Sequence, residues 1–333
     1  MSKLFERIVF WLEAARLHTI PTSFMSWLFP FIFGLSDGGS LIRGLLALAG
    51  IVSVHLGVNL FDDVLDYYRE EKKANGAPIT SFDKAKGKCW YLLEGKTTLL
   101  KTFVVTMGLF GFASLIGIYL LIVCGWPVCA IAAITAVLCL FYPFSTKFGL
   151  GETTVGIVYA PLLCLGTYFV MTGKFSIEVL LISISTGLLT VGLLHTSTML
   201  DYDFDIDAKK ITICTIVGNK HNAVLAQIII ILLAYLNIIA AVIFHKTTPI
   251  MLITLLTIPT AYNLIRVLNV HMEAPEQKIE RTFWMGPLEN WNKIVKKNLD
   301  TYMIKFLLAR NVMFIFTTLV CIAKIISEAI KAF

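Results

Sequence analysis

Two runs of acidic residues close long apolar stretches of this chain: Asn59-Leu-Phe-Asp62-Asp63-Val-Leu-Asp66-Tyr-Tyr-Arg-Glu70, and Asp201-Tyr-Asp203-Phe-Asp205-Ile-Asp207. A carboxylate is expensive beside hydrocarbon, and two such runs either repel one another or share cations. If the first apolar stretch continues as a helix, Asp62, Asp66 and Glu70 fall at i, i+4 and i+8. Asn59, Asp63 and Asp66 fall at i, i+4 and i+7, on a neighbouring strip of the same face. In the second run Asp201 and Asp205 share one face, and Asp203 and Asp207 another. Like charges at this spacing destabilise an isolated helix, so a cation should compensate. Magnesium suits the set, because it takes one or two carboxylates, keeps several waters and completes its shell with substrate phosphates. Two acidic helix faces can hold two or three such ions around a diphosphate and neutralise it as a leaving group. Lys147, Lys209 and Lys210 offer point charges for direct phosphate contact. An EF-hand calcium loop is excluded, since its glycine and terminal Glu are missing at the required spacing. Solvated acids at helix ends would explain one or two carboxylates. They do not explain eight in two runs, with His55 and Asn59 on the apolar side of the first.

The elements that carry these runs belong to a membrane. The 333 residues are 57% hydrophobic and only 15% charged, with a mean hydropathy of +0.79, whereas soluble domains average about 25% charged. We read a single all-α integral-membrane domain over residues 1–333. Nine stretches approach the ~20 apolar residues a span needs: 18–36, 41–62, 99–122, 126–145, 152–172, 177–200, 222–244, 248–268 and 304–326. Residues 4–14 are apolar but interrupted by Glu6, Arg7 and Glu13, which predicts an amphipathic helix lying in the interface rather than a cleaved signal. The connections 66–98, 201–221 and 269–303 are long and polar, and all follow even-numbered spans, so they share one side. Lys72, Lys73, Lys84, Lys86, Lys88 and Lys96 in the first, and Lys278, Arg281, Lys293, Lys296 and Lys297 in the third, assign that side to the cytoplasm. The net charge of +6 sits in short loops, which suits phospholipid head groups and an anionic substrate and not nucleic acid. The seven cysteines are scattered without a CxxC pair and read as small core hydrophobes.

With these residues in view, the chain resembles the UbiA-type intramembrane prenyltransferases, and among them the 1,4-dihydroxy-2-naphthoate prenyltransferase branch. The first run is similar to that branch's N-L-x-N-D-x-x-D, with Asn59, Asp63 and Asp66 in register and Asp62 replacing the second Asn. The second is similar to D-x-x-x-D-x-x-x-x-K-x-T-L, through Asp201, Asp205, Lys210, Thr212 and Ile213, with Lys209 where a Gly is usual. Ala15-Arg16-Leu-His-Thr19-Ile-Pro21, Leu150-Gly151-Glu152 and Gly166-Thr167-Tyr168-Phe169-Val170-Met-Thr-Gly173 resemble further strings of the branch. The matches run from residue 15 to about 220.

The resemblance implies nine helices bundled around a central cavity under a cytoplasmic cap. It implies magnesium and diphosphate held by Asn59, Asp62, Asp63, Asp66, Asp201 and Asp205, with Glu70 as a further acid. Lys147, following Tyr142, stands for the family's phosphate-contacting base, and Arg16 lies at the cavity mouth, near the diphosphate or an acceptor carboxylate. The implied reaction is departure of a metal-neutralised diphosphate from an allylic prenyl group. The cation is stabilised by aromatic faces, in a site closed to water, and attacked by a hydroxylated ring. Tyr142, Tyr159 and Tyr168 are candidate aromatics, each equally suited to plain packing; His55 either lines the cavity or is hydrogen-bonded in the interior. The 66–98 connection is expected to form a helical cap, and the 269–303 connection a helix at the interface. Competing readings keep the reaction and change the acceptor, to homogentisate, hydroxybenzoate or a non-quinone group, or replace the enzyme by a cation-coupled transporter.

Overall fold

The computed structural model describes residues 3–75, 79, 88–207, 209–275, 277–296 and 298–332, with only the backbone at 3, 4 and 143. The described residues form helices and no strand. They divide into two compact units, Met1–Phe24 with Leu41–Cys129 and Met25–Ser40 with Ala130–Phe333.

The first unit holds α1 (Lys3–Ala14), the opening turn of α2 (Ile20–Ser36), α3 (Leu41–Ala74), α4 (Trp90–Leu93) and α5 (Leu99–Cys124). Helix α1 matches the amphipathic segment expected at 4–14, with Phe10, Trp11 and Leu12 packed against Leu56, Leu60, Tyr91 and Leu92. Helix α3 runs 34 residues, well past the apolar stretch. Its extension Arg69-Glu-Glu-Lys-Lys-Ala74 consists of strong helix formers. The pairs Asp66–Arg69 and Glu70–Lys73 support it, and Lys72 and Lys73 complement the dipole of its last turn. The acidic run is therefore helical, as its spacing requires, and the connection begins nine residues later than hydropathy placed it. Much of the expected cap, residues 76–78 and 80–87, lies outside the described residues. What is described of it is α4, with Tyr91 and Leu92 buried in this unit.

The second unit holds the rest of α2, most of α6 (Trp126–Ser145), then α7 (Gly151–Ile157) and α8 (Leu163–Thr172), joined by a wide π turn, Val158–Leu162. Pro161 lies in that turn; it has no N–H to donate, and its ring would clash with the carbonyl one turn back. Helix α9 (Ile177–Leu200) starts at a Ser176 cap and ends at Asp201. Next come α10 (Tyr202–Asp207), α11 (Ile213–Ile216) and α12 (Lys220–Ile243). A 3-10 stretch, Pro249–Thr257, leads into α13 (Ile258–Glu273), and α14 (Trp291–Lys296) and α15 (Asp300–Ala332) close the chain. Phe29, Phe33, Ile182, Met199, Ile238, Leu264 and Phe316 form its core.

Among the described residues seven helical stretches are long and apolar enough to cross a membrane: 41–74, 99–124, 151–172, 177–200, 220–243, 249–273 and 300–332. The protein is an integral membrane protein. The other two expected spans coincide with α2, 17 residues long, and with α6, whose apolar part is Trp126–Tyr142. Both are helical and near the lower limit of spanning length, about 17 residues.

The 269–303 connection differs from the interfacial helix expected of it. Among the described residues between the end of α13 at Glu273 and the start of α15 at Asp300, α14 is helical, with one 3-10 turn, Phe283–Met285. The intervening chain instead turns back along α13 and α15. Asn311 of α15 donates to the Met285 and Pro287 carbonyls (2.8 and 2.9 Å), and Thr282 donates to Asn263 of α13 (3.5 Å).

Candidate active site

In the first unit the acidic run of α3 is enclosed by cations and neutral donors. Asp63 has no solvent exposure. One of its oxygens takes a short contact from the Arg16 guanidinium; the other accepts from the Cys89 N–H and the Tyr91 hydroxyl, both at 3.1 Å. Burial, with Asp63 alongside, pushes the Tyr91 phenol and the Cys89 thiol well up, so both stay neutral. Arg16 sits in a left-handed turn (φ 60°) before the 3-10 turn Leu17–Thr19, and this aims its side chain at α3. Asp62, one residue earlier, lies 3.8 Å from the same guanidinium.

Asp62 and Asp66, one helical turn apart, share the Lys88 ammonium, 2.8 Å from Asp62 and in short contact with Asp66. Burial works to lower the Lys88 pKa, but the two carboxylates prevail and hold it at about 12. Asn59 points the other way along α3 and donates to the Ala15 carbonyl (2.9 Å) and to Thr19 (3.3 Å). His55 is bracketed by the Thr19 and Ser23 hydroxyls, which makes it a hydrogen-bonded clasp between α3 and the start of α2. Glu70 pairs with Lys73 at 2.6 Å. This unit therefore brings together Asp62, Asp63 and Asp66, which the spacing puts on one face, with Arg16, which the resemblance puts near them; Asn59 is turned to Ala15 and Thr19, and Glu70 lies one turn further on.

In the second unit Asp201 caps α9, and its carbonyl accepts the Asp205 N–H (2.8 Å). Asp205 is buried and takes a 2.7 Å bond from Lys210. Lys209 is exposed in a left-handed turn (φ 52°), the place where the family pattern has Gly. The turn holding Lys147 meets the same segment through Gly149. There φ is 69°, and a Cβ would fall 2.2 Å from Ile216 Cδ1. Tyr142 is half-buried one turn before Lys147. Tyr168 serves another purpose: its hydroxyl donates to Asp37 (2.6 Å), which pairs with Lys324, itself paired with Glu178 of the first turn of α9. Glu178 and Asp201 stand at opposite ends of α9, about 35 Å apart at 1.5 Å per residue.

Four contributors lie outside the acidic runs. Lys88 was one lysine among several in a polar connection, and Cys89 and Tyr91 follow it directly. Glu152 was noted only as part of a string. It is buried and accepts from the Ile213 N–H (3.2 Å) and Thr198 (3.5 Å), fixing the segment after Lys210. The available signal was the aromatic pair Trp90-Tyr91 in a charged loop, and a glutamate opening an apolar span.

Among the described residues no three His, Cys, Asp or Glu side chains converge as a ready-made metal site. Magnesium needs fewer, since waters and phosphates complete its shell. The Asp62–Asp66 pair, already sharing one cation, fits such an ion. Asp63 has both oxygens engaged by protein donors and fits an anchoring role instead.

A helical membrane protein with one aspartate run inside α3 and a second from the end of α9 through α10 is what these elements define. Residues 22–286 match the UbiA prenyltransferase family, and the chain belongs to it; it is a prenyltransferase. It is 22% identical over 259 residues to the 1,4-dihydroxy-2-naphthoate octaprenyltransferase of Bacillus subtilis (strain 168), covering 76% of this chain and 80% of that protein. The Mycobacterium tuberculosis protein of the same name is 25% identical over 228 residues, 65% of this chain and 73% of that one. The UbiA prenyltransferase domain-containing protein 1 of Gallus gallus is 32% identical over 117 residues, 35% of this chain and only 34% of its own length. Two solved structures share the fold. A digeranylgeranylglyceryl phosphate synthase has a TM-score of 0.59 at 15% identity, covering 95% of this chain and 99% of that one. A UbiA homologue from Aeropyrum pernix K1 has a TM-score of 0.56 at 16% identity, covering 92% and 97%.

Proposed function

We propose that the protein transfers a prenyl group from a prenyl diphosphate to a hydroxylated aromatic acceptor, 1,4-dihydroxy-2-naphthoate, in quinone synthesis, with magnesium as cofactor. The observation that carries the reading is the aspartate pair of α3 held one turn apart around a single cation, with a buried third aspartate locking the helix to Arg16 and α4. The naphthoate octaprenyltransferases aligned over 65% and 76% of the chain support the acceptor.

In this reading Asp62 and Asp66 of the first run, and Asp201 and Asp205 of the second, hold magnesium, with Asn59 and Glu70 at the edges. Magnesium bound there would neutralise the diphosphate as it leaves. Asp63 keeps α3, Arg16 and α4 in register, so that its neighbours present their oxygens at fixed spacing. Lys147, Lys209 and Lys210 bind phosphate oxygens as mobile point charges. Arg16, with its fixed fork of donors, orients the diphosphate or the acceptor's carboxylate. Tyr142 is placed beside Lys147 and can present its ring face to the departing prenyl cation. The basic long connections support a cytoplasmic side of the cell membrane for this chemistry.

The test incubates membranes containing the protein with magnesium, a labelled prenyl diphosphate and a panel of acceptors: dihydroxynaphthoate, homogentisate, 4-hydroxybenzoate and a glyceryl phosphate ether. Label in the naphthoate product supports the reading. Transfer to another member alone replaces the acceptor, and no transfer by folded protein overturns the enzyme assignment.

A further inference from the structure

Residues 281–293 build two adjoining cavities on the flank of the second unit, away from both aspartate runs in sequence. The first, about 440 Å³, is lined by Arg281, Lys293, Asn290, Asn292 and Trp291 with Leu288. The second, about 660 Å³, shares Arg281 and Leu288 and is otherwise walled chiefly by Leu256, Phe283, Trp284, Pro287 and Ile315. Both volumes fall in the range of small-molecule sites, about 300–1,000 Å³. Apolar surface makes up most of both; the first adds Lys293 and two asparagines, and Arg281 stands where they meet.

Depth separates the two. Asn290–Lys293 belong to the polar connection before α15. Ile315 lies eleven residues into the apolar stretch 304–326, about 16 Å along the helix, and Leu256 twelve residues into 248–268 counted from its far end, about 18 Å. The second cavity thus reaches the middle of a hydrocarbon core about 30 Å thick. Irregular backbone survives at that depth only when its polar groups are satisfied or it lines a cavity. Asn311 meets the requirement by donating to the Met285 and Pro287 carbonyls. Gly286 makes the approach feasible, with φ 72° and a Cβ position 3.1 Å from Ile315 Cδ1. Two asparagines, Asn263 and Asn311, inside apolar spans are explained by this loop.

The apolar walls open outward. Phe283 is 88% exposed and Leu256 66%, so an occupant enters from the bilayer and remains partly in it. Two cations beside a mid-membrane apolar slot match an amphiphile with one phosphodiester charge and a long chain. A diphosphate carries more charge than Arg281 and Lys293 would balance, and Arg281 already rests over the Trp291 ring at 5.6 Å.

The geometry points to a binding site for an anionic phospholipid, its phosphate held by Arg281 and Lys293 at the headgroup level and one acyl chain lying along Leu256, Phe283 and Ile315. This inference is independent of the acceptor and of the metal.

The test uses the full-length protein in neutral detergent with phosphatidylglycerol or phosphatidylcholine of identical chains, read by native mass spectrometry and by thermal midpoint. Phosphatidylglycerol is expected to be retained and to raise the midpoint; phosphatidylcholine is not. Each cation near an anionic surface is worth roughly fivefold in binding, so R281Q/K293Q is expected to weaken retention by roughly 25-fold with the helical content unchanged. L256W, which keeps both charges and fills the chain slot, is expected to lose retention as well. Equal retention of the two lipids, or undiminished phosphatidylglycerol in both variants, overturns the proposal. So does displacement of the lipid by a prenyl diphosphate, which would make the slot a substrate site.

Discussion

Replacing Arg16 by Met tests the claim that Asp63 anchors the first unit. Asp63 has no exposed surface, and Arg16 is its one direct ionic contact among the described residues, with the guanidinium side chain 21% exposed. Removing one partner of a buried pair costs about 3–5 kcal/mol, because the other charge stays buried. The Cys89 N–H and Tyr91 hydroxyl remain as donors, which places the expected loss at about 3 kcal/mol. Met adopts the left-handed backbone of residue 16 no more readily than Arg does, so the difference reports the pair. For a chain of this size the thermal midpoint should fall by about 4–5 °C. Asp63→Asn removes the charge, and its Oδ1 keeps both neutral donors only by turning the amide NH2 toward Arg16, at about 2 kcal/mol. In R16M/D63N no charge is left buried alone, and the double variant should lose about 2–3 kcal/mol less than the two single losses combined. Thermal unfolding in detergent gives the midpoints, and hydrogen exchange over residues 88–93 shows whether α4 has been released. An R16M midpoint equal to wild type, or strictly additive losses in the double variant, would refute the anchoring role.

Asp66→Asn and Asp205→Asn should each reduce prenyl transfer at least 100-fold while leaving the midpoint within about 1 °C, since both sites retain a hydrogen-bonding amide; near-normal turnover would contradict the magnesium assignment. Lys88→Met should destabilise by a margin that is constant between pH 6 and 9. The raised pKa of about 12 means the ammonium's contribution is fully present below the unfolded value near 10.4 and fades only as pH climbs through 12; a margin shrinking by pH 9 would be inconsistent with the Asp62–Lys88–Asp66 bridge. Gly149→Ala should cost about 1–3 kcal/mol and depress transfer, because its Cβ meets Ile216 and displaces the segment that carries Lys209 and Lys210; unchanged kinetics would separate that turn from the site.

Helix positions were legible because apolar runs of 20 residues have few other solutions in a membrane. Their ends were not. Hydropathy stopped α3 at 62, yet helix-forming charged residues carry it to Ala74, and this puts Asp66 and Glu70 on a rigid face. The i, i+4 arithmetic for Asp62 and Asp66 needed only that continuation. Lys88 could not have been singled out, since its role depends on where a 15-residue connection returns to α3, and composition is silent about return points. The re-entrant loop at 281–288 was hidden for the same reason. Asn311 satisfies its backbone and Asn263 accepts from its Thr282 hydroxyl, the two lying far along the chain from one another, and a polar residue in an apolar span has no partner until the fold supplies one.

Asp62 is, with Lys209, a residue at which the chain departs from the pattern it resembles, and this departure carries an energetic argument. An added carboxylate next to Asp63 and Asp66 raises the repulsion within α3, and Lys88 answers it. Three carboxylates, Asp62, Asp63 and Asp66, meet three cations, Arg16, Lys88 and Arg69. A run balanced in this way offers little to free magnesium, which gives up its waters reluctantly and would have to displace an ammonium to reach two oxygens. A diphosphate changes the balance, because it draws Lys88 toward its own oxygens and adds ligands for the metal. Magnesium and donor should therefore bind as a coupled pair. Magnesium alone should leave the thermal midpoint unmoved, and a non-reactive prenyl diphosphate analogue with magnesium should raise it more than the analogue alone. Lys88→Gln should uncouple the two, so that magnesium by itself stabilises the variant. If magnesium alone gives the full shift in the wild-type protein, Lys88 is not a competing cation. A site that loads metal without the donor is then better explained as part of an ion path than as a diphosphate clamp.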